Sequence, residues 1–432
     1  MVNSLDELLE QKGIISRKIG EAKREGQPID SLLTQMKQIS SDIAKIKKAE
    51  SKAEDKLPRT AENAVKRPEK PPLFQASHSK GHSSVSKIIP CDEAMADKWD
   101  AYVAQCPESS IYHRWGFKCV VEQSFGHETY YFAALNEHND ICGILPAVEM
   151  QSRLFGHFIV SLPFFTYGSA LADNRQVEQA LYQALFERAK VQQVAHVEVR
   201  ATCKQSSLEQ SMPAKLSKVS MVRALPDTAD TLWQEIGTKV RAQIKKAQRF
   251  DLQMKFGKAE LLDDFYRVFA ENMRDLGTPV YAKTFFSELI NSSMSSSFDI
   301  GVMYFEKQPV ACCFLMQHKG MMEIPWASAL NSVNEMNVNM LMYWEILKRS
   351  INQGNQFFDF GRSSKDAGTY RFKKQWGATP QQLYWYYWLP DGGEMPELNP
   401  NNPKYKLLIS VWQKLPVWLT KWIGPPVVKY LP

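Results

Sequence analysis

The sequence predicts an α+β protein in which two similar domains follow an antiparallel helical hairpin. Three observations predict it: paired helical repeats at the amino end, an order of elements that occurs twice in the body, and shared wording where the two copies end. In the hairpin, Leu5, Leu8, Ile15, Ile19 and Ala22 recur at helical spacing. After Gly26-Gln27-Pro28 a second series runs through Ile29, Leu32, Leu33, Met36, Ile39, Ile43 and Ile46, so two amphipathic helices are expected over 1–50, joined by a Gly/Pro turn. Residues 51–86 are rich in Lys, Pro, Ser and Glu and poor in large apolar side chains. Such a composition does not offset the entropy of ordering, and a flexible linker is expected.

The first domain is expected over 87–225, with strands at 129–135, 141–150, 158–162 and 196–201 and a helix at 176–193. The second is expected over 226–396, with strands at 298–305, 309–318, 321–328 and 357–361 and a helix at 338–353. The wording echoes between copies: YQALFERAKVQQVAHVEVR in one, YWEILKRSINQGNQFFDFGR in the other. A meander of strands, a helical crossover and a further strand, repeated, implies two α+β domains that share a cleft.

Composition removes several classes of function. The chain of 432 residues is 44% hydrophobic, enough for large cores, and its apolar stretches fall short of the roughly 20 residues that cross a bilayer. The start, MVNSLDELLE, is acidic and offers no apolar run of the kind an export signal uses. Seven cysteines, an odd number without a C-x-x-C pair, fit reduced thiols and a cytoplasmic location. No HExxH pattern points to a metal, and GxSxG, GxGxxG and Walker loops are absent, so nucleophile-elbow and nucleotide-fold chemistry is not expected. The net charge of +6 permits an anionic ligand without requiring one.

Chemistry concentrates where the last repeated strand ends. Asp359 and Arg362 stand where a buried strand meets a loop, the usual mouth of a crevice in such sheets. Ser363, Ser364, Lys365 and Gly368 follow as a polar turn, and Tyr370, Phe372, Lys373 and Trp376 lie in a cationic, aromatic segment. An acyl transfer needs a donor for the developing oxyanion, which an ammonium such as Lys373 supplies; the alternative is a surface lysine on a strand. In IYHRWGF and SFGHETYYF, His113, Trp115 and His127 are suited to line the cleft, a histidine serving as base, or else to pack in the core. Tyr167, in SLPFFTYGSAL, suits ligand contact at a strand end, or else belongs to ordinary turn chemistry there. Arg274, in ENMRDLGTPVY, either clamps a phosphate or pairs with Asp275. Arg241 belongs to a basic helix between the copies, with Lys239, Lys245, Lys246 and Arg249, that either binds an anion or is simply solvated.

The strings LFGHFIVSLPFFTYGSAL, KVRAQIKKAQ, NMRDLGTPVYAKTFF and FDFGRSSKDAGTYRFKKQWG resemble FemAB-related proteins of PEP-CTERM and exopolysaccharide gene clusters, from Ile88 to Trp388. The resemblance implies two tandem acetyltransferase-like (GNAT) domains. The Fem ligases of that superfamily pass an aminoacyl group from aminoacyl-tRNA to the amine of a peptidoglycan precursor, and their Phe-Lys motif corresponds to Phe372 and Lys373. The hairpin resembles the tRNA-binding arm of seryl-tRNA synthetases, which leaves an RNA-binding arm and an oligomerisation hairpin both open. A CoA-dependent GNAT enzyme would carry a Gly-rich pyrophosphate loop where this chain has ALNSVNEMNVNM, so aminoacyl-tRNA is favoured over acyl-CoA and no resident cofactor is expected.

The expected activity is therefore acyl or aminoacyl transfer to an amine or hydroxyl of a cell-envelope or exopolysaccharide precursor, glycan or lipid-linked. The alternatives are a CoA-dependent acyltransferase and a non-catalytic scaffold for polymer assembly. After Glu397 five lysines alternate with Trp412, Trp418 and Trp422 without an acidic residue, which suits peripheral contact with the inner face of a membrane or packing across the body.

Overall fold

The fold, obtained as a computed structural model, is described for residues 83–431 apart from 206, 366, 392 and 397–402, for 71–75, and for scattered positions between 11 and 41. Side chains of 403–407 are outside that description. The chain forms two units, Met1–Arg67 and Pro68–Pro432. In the first, the described residues on either side of position 28 are helical, and Gln11, Ile14 and Ile15 share a small cavity with Gln35, Gln38 and Ile39. The two helical stretches thus face each other through their apolar stripes.

The second unit begins inside the stretch expected to be a flexible linker. Most of the expected linker lies outside the described residues, but Pro72–Phe74 forms a 3-10 turn with Leu73 and Phe74 both buried. Phe74 meets Tyr167 edge-on at 5.6 Å and the Leu73 carbonyl accepts from Thr202 Oγ1 at 2.6 Å. These two apolar residues, isolated in a polar stretch, gain enough by burial to anchor it.

The elements of the first half are β1 (Lys87–Pro90), α1 (Ala96–Gln105), α2 (Gly116–Phe125), β2 (Thr129–Leu135), β3 (Ile141–Ser152), β4 (Gly156–Val160), β5 (Leu171–Ala172), α3 (Arg175–Val191), β6 (Val197–Ala201) and β7 (Ala214–Lys215). Then come β8 (Lys218–Ala224), α4 (Ala229–Glu235), α5 (Thr238–Ala247), β9 (Leu252–Gly257), α6 (Leu262–Asp275), α7 (Lys283–Asn291), β10 (Phe298–Phe305), β11 (Gln308–His318), β12 (Met321–Ala329), α8 (Val338–Asn352) and β13 (Phe357–Ser364). The chain ends with α9 (Gly368–Lys374), β14 (Thr379–Gln382), β15 (Tyr384–Trp388), α10 (Pro403–Trp412) and α11 (Val417–Val428).

One sheet has the order β1-β2-β3-β4-β6-β15-β7, with β5 also on β3; the other has β14-β8-β13-β12-β11-β10-β9. In each, one parallel pair, β4/β6 or β12/β13, is joined by a crossover helix, α3 or α8, while the other pairings are antiparallel. This is the duplicated α+β architecture expected. The sheets exchange strands across the expected boundary at 225/226: β8 enters the second sheet and β15 completes the first. The buried run Val219–Arg223 suits an interior strand, and β8 pairs with both β13 and β14.

The halves are fused by an aromatic core. Phe117 meets Phe298 at 6.3 Å, Phe125 meets Phe285 at 5.1 Å and Phe165 meets Trp326 at 6.4 Å. Such ring pairs are worth about 0.5–1.5 kcal/mol each beyond area burial, so the halves form one body. At the end, α11 lies on α6, and the Leu415 and Lys429 carbonyls bond Arg274 and His127.

Candidate active site at the strand fork

The parallel strands β12 and β13 pair through Met321↔Phe357, Met322↔Phe358 and Glu323↔Asp359, then part. β13 turns onto β8 through a register shift between Asp359 and Arg362, where Gly361 takes a left-handed φ of 77°. A side chain there would be strained by that φ and would stand 4.0 Å from Lys373 Nζ. The shift sends successive side chains to different sides of the fork, Asp359 into the protein and Arg362 toward solvent.

Asp359 is fully buried. Its oxygens accept from Ser220 Oγ at 2.6 Å, from the Gly361 N–H at 2.7 Å and from Tyr167 Oη, whose oxygen also lies 2.8 Å from Ser220 Oγ. Burial raises its pKa, although the hydrogen bonds and the Lys373 charge pull the other way. Opposite it, Glu323 is buried, and its Oε1 has no hydrogen-bond partner among the described residues. Burial first and the neighbouring Asp359 charge second hold Glu323 well above the usual carboxylate range. The phenol of Tyr112 adjoins it and is pushed up by burial first and the Glu323 charge second.

Lys373 lies on α9, a helix of seven residues rather than a strand. It is buried, and Nζ donates to the carbonyls of Gly361 and Arg362, both at 2.9 Å. One N–H remains over. Burial lowers its pKa to about 8 against the raising pull of Asp359. The ammonium therefore clamps the bulged turn while standing beside two carboxyl groups.

Arg362 is reached by solvent, yet protein surrounds its guanidinium, and burial followed by the Arg200 charge lowers its pKa to about 10. No described residue accepts a hydrogen bond from it; instead it lies 4.9 Å over the Trp385 ring. The buried Arg200 guanidinium lies 4.5 Å from the same ring, with Nε bonded to Glu198 Oε1 at 2.7 Å and Nη1 to the Phe165 carbonyl at 2.7 Å. Lys218, bonded to Ser364 Oγ at 2.6 Å, has its pKa lowered by burial and then by Arg362. Cations thus outnumber acids at the open side of the fork, an arrangement that accepts an anion.

The fork brings together Asp359, Lys373, Arg362, Ser363 and Tyr167 from the sequence-derived set; Ser363 Oγ is buried without a described partner. Tyr167 arrives on the loop after β4, where Leu162 and Phe164 adopt positive φ and Gly168 presses on the Ser161 carbonyl, 2.2 Å from where a Cβ would sit. Tyr370 and Phe372 do not join it. They pack on the second core, Phe372 meeting Tyr343 at 5.1 Å.

Five other residues fall outside the fork for identifiable reasons. Arg274 pairs with Asp275 at 2.6 Å and holds the Leu415 carbonyl at 3.1 Å, away from the fork. Arg241 binds the carbonyls of Trp233 and Gln234 at the end of α4. His113 is buried, its Nδ1 accepting from the Ser110 N–H at 3.1 Å, which leaves Nε2–H to donate to the Ser169 carbonyl at 2.9 Å. Burial lowers its pKa to about 4, so it is a neutral packing residue near neutral pH. Trp115 is buried against Trp99 and Tyr131. His127 is likewise taken, by the Lys429 carbonyl at 2.5 Å.

Glu323, Arg200, Trp385 and Ser220 were not read from the sequence. A usable signal existed for two of them: Glu198-x-Arg200 and Asp359-x-x-Arg362 are the same motif in the two copies, offset by one residue. Glu323, one acid in the apolar run MMEIPW, is the kind of buried polar group that carries information.

Residues 237–374 match the family described as Acetyltransferase (GNAT) domain. Among solved structures, the chain is similar to FemX, at 12% identity and a TM-score of 0.55, over 75% of this chain and 100% of that one. It is also similar to L-PGS from Bacillus licheniformis, at 10% identity and a TM-score of 0.48, covering 76% and 98% of the two chains. A tandem GNAT protein from the clavulanic acid biosynthesis pathway aligns at 9% identity and a TM-score of 0.47, covering 72% and 99%. No curated protein matches the chain by sequence. With the duplicated sheets and crossover helices, the family match and the FemX likeness identify the fold as tandem GNAT-like.

Proposed function

We propose that the protein is an acyl or aminoacyl transferase of the FemAB type, acting on an amine or hydroxyl of an anionic cell-envelope or exopolysaccharide precursor. The observation that carries this reading is the unspent Arg362 guanidinium at the fork, beside the Lys373 ammonium and the Glu323–Asp359 pair. Arg362 holds a phosphate or carboxylate of the substrate, since a planar guanidinium with free donors binds such oxygens in pairs. The N–H that Lys373 does not spend on the turn meets the oxyanion that forms when the acceptor attacks the acyl carbon. Asp359 and Tyr167 keep that turn in place, Glu323 stands beside them with a raised pKa that favours the protonated carboxyl, and the proton lost by the attacking acceptor leaves with the departing group.

The donor is aminoacyl-tRNA rather than acyl-CoA. In support, the segment before α8 has no glycine and folds as a 3-10 turn, Asn331–Met336, so it does not form a glycine cradle for a pyrophosphate. Seven unpaired cysteines favour a reducing cytoplasm. No cofactor is needed for this chemistry.

The reading is tested by incubating the purified chain and a glycan precursor with a labelled acyl group on either tRNA or CoA. The expected result is label on the acceptor from charged tRNA, lost in Lys373→Ala that retains its helical circular dichroism. Efficient transfer from acyl-CoA without tRNA would overturn the donor. A folded wild type that transfers from neither would favour the scaffold.

A further inference from the structure

The carboxyl-terminal helices and the tip of the β3–β4 hairpin, far apart in sequence, share one exposed face. The inner side of α11 is fixed: Thr420, Gly424 and Val428 are buried, and a Cβ on Gly424 would stand 2.9 Å from the Val280 nitrogen. The outer side presents Trp418, Trp422 and Pro426 at successive helical turns, with Trp418 68% and Trp422 74% exposed. At the hairpin tip Leu154 is 78% exposed, and residues 151–157 form a groove with Pro426, Val427 and Tyr430. On α10, Leu408 and Val411 are also exposed.

The charge around this apolar face has one sign. Residues 398–432 hold five lysines and no Asp or Glu, a contribution of +5 to the formal net charge of +6. Lys414, Lys421 and Arg153 are exposed beside the tryptophans and Leu154. Of the acids next to it, Asp275 is taken by Arg274 and Glu149 by His157.

We propose that this face docks on the surface of an anionic bilayer. Trp418, Trp422 and Leu154 enter the headgroup layer, where amphipathic rings are favoured, and Lys414, Lys421 and Arg153 meet lipid phosphates. A second copy is a poorer occupant, because like charges would face each other across a two-fold interface. Contact is peripheral: among the described residues no helix is long and apolar enough to cross a membrane. The inference does not rest on the proposed reaction, and its test does not read catalysis.

Flotation of the full chain with phosphatidylglycerol-containing vesicles, against vesicles of phosphatidylcholine alone, tests it. The chain should float with the anionic vesicles at low salt and be released at high salt, as screening of surface charge requires. The double variant Trp418→Ala/Trp422→Ala should lower partitioning by about tenfold, and Leu154→Ser by a smaller factor. Lys414→Glu/Lys421→Glu, which leaves the apolar contacts untouched, should abolish the preference for anionic lipid. Absence of flotation at low salt overturns the proposal, as does flotation that neither double variant changes. A tryptophan variant that converts a dimer to a monomer in light scattering would give the face to a second copy instead.

Discussion

In the first sheet, β4 and β6 pair through Val160↔Glu198 and then part; in the second, β12 and β13 pair through Glu323↔Asp359 and then part. Each fork is followed by an arginine over the ring of Trp385. In the first, Arg200 follows Glu198 by two residues and bonds it, and Tyr387 closes the other carboxylate oxygen. In the second, one extra residue at Gly361 swings Arg362 away from Asp359, whose oxygens go to Tyr167, Ser220 and a backbone N–H. The same motif thus yields a closed ion pair in one half and an open guanidinium in the other. A single inserted residue separates a paired guanidinium from an unpaired one.

Removing each arginine is the strongest way to break that comparison. Arg200→Ala strands Glu198 in the interior and should cost about 3–5 kcal/mol in urea unfolding, the usual consequence of breaking a buried pair. A loss under about 1 kcal/mol would mean that the first fork is not held by this pair. Lys373→Ala comes next, lowering kcat by about 10²–10³-fold through the lost oxyanion donor. Because the ammonium form is the active one, wild-type kcat should also fall as pH rises through about 8. An alkaline limb that survives in Lys373→Ala would assign it to another group.

Arg362→Ala should have the opposite profile to Arg200→Ala. The Arg362 guanidinium has no hydrogen-bond acceptor among the described residues, so its removal should change stability by less than about 1 kcal/mol while raising KM for the anionic substrate about 10–100-fold. Arg362→Lys should restore little, since an ammonium offers no paired planar donors. Equal stability losses for the two arginines would erase the distinction between the forks.

How far these forks were legible in the sequence depends on range. The repeated strands lie within a few residues of their expected positions, because runs such as FDIGVMYF and MMEIPWASA carry their own apolar signal. Asp359, Arg362 and Lys373 could be singled out because one short segment holds all three. Lys373 stands on a helix rather than the strand that the sequence offers as an alternative, and Phe372 and Trp376 packing on Tyr343 hold that helix in place. Trp385 and Ser220 reach the fork through strand exchange between the sheets, a long-range event with no local trace. Phe74 was hidden in the opposite way, by polar neighbours that suggested a linker throughout.

The acids of the two forks give the smallest effect and a test by sign. Burial opposes the ionisation of Glu198, but Arg200 and the Tyr387 hydrogen bond outweigh it and hold the pKa below the usual value. Its stabilisation is present above the unfolded-state pKa and is lost as pH falls through the lowered folded one. Glu323 has the reverse linkage: the folded state binds its proton more tightly than the unfolded chain, so stability is fullest below the ordinary value of 4.5 and declines as pH rises above it. Glu323→Gln keeps the shape, removes the charge and should abolish that decline. Near neutral pH the variant should exceed wild type by an amount on the order of 1 kcal/mol, and the two should converge in acid. Glu198→Gln should do the contrary, weakest near neutral pH and converging with wild type only as acid protonates Glu198. Urea midpoints measured across pH for both variants decide the matter. If Glu323→Gln is instead weakest near neutral pH and converges with wild type only in acid, Glu323 is ionised in the folded state and the two forks carry the same charge after all.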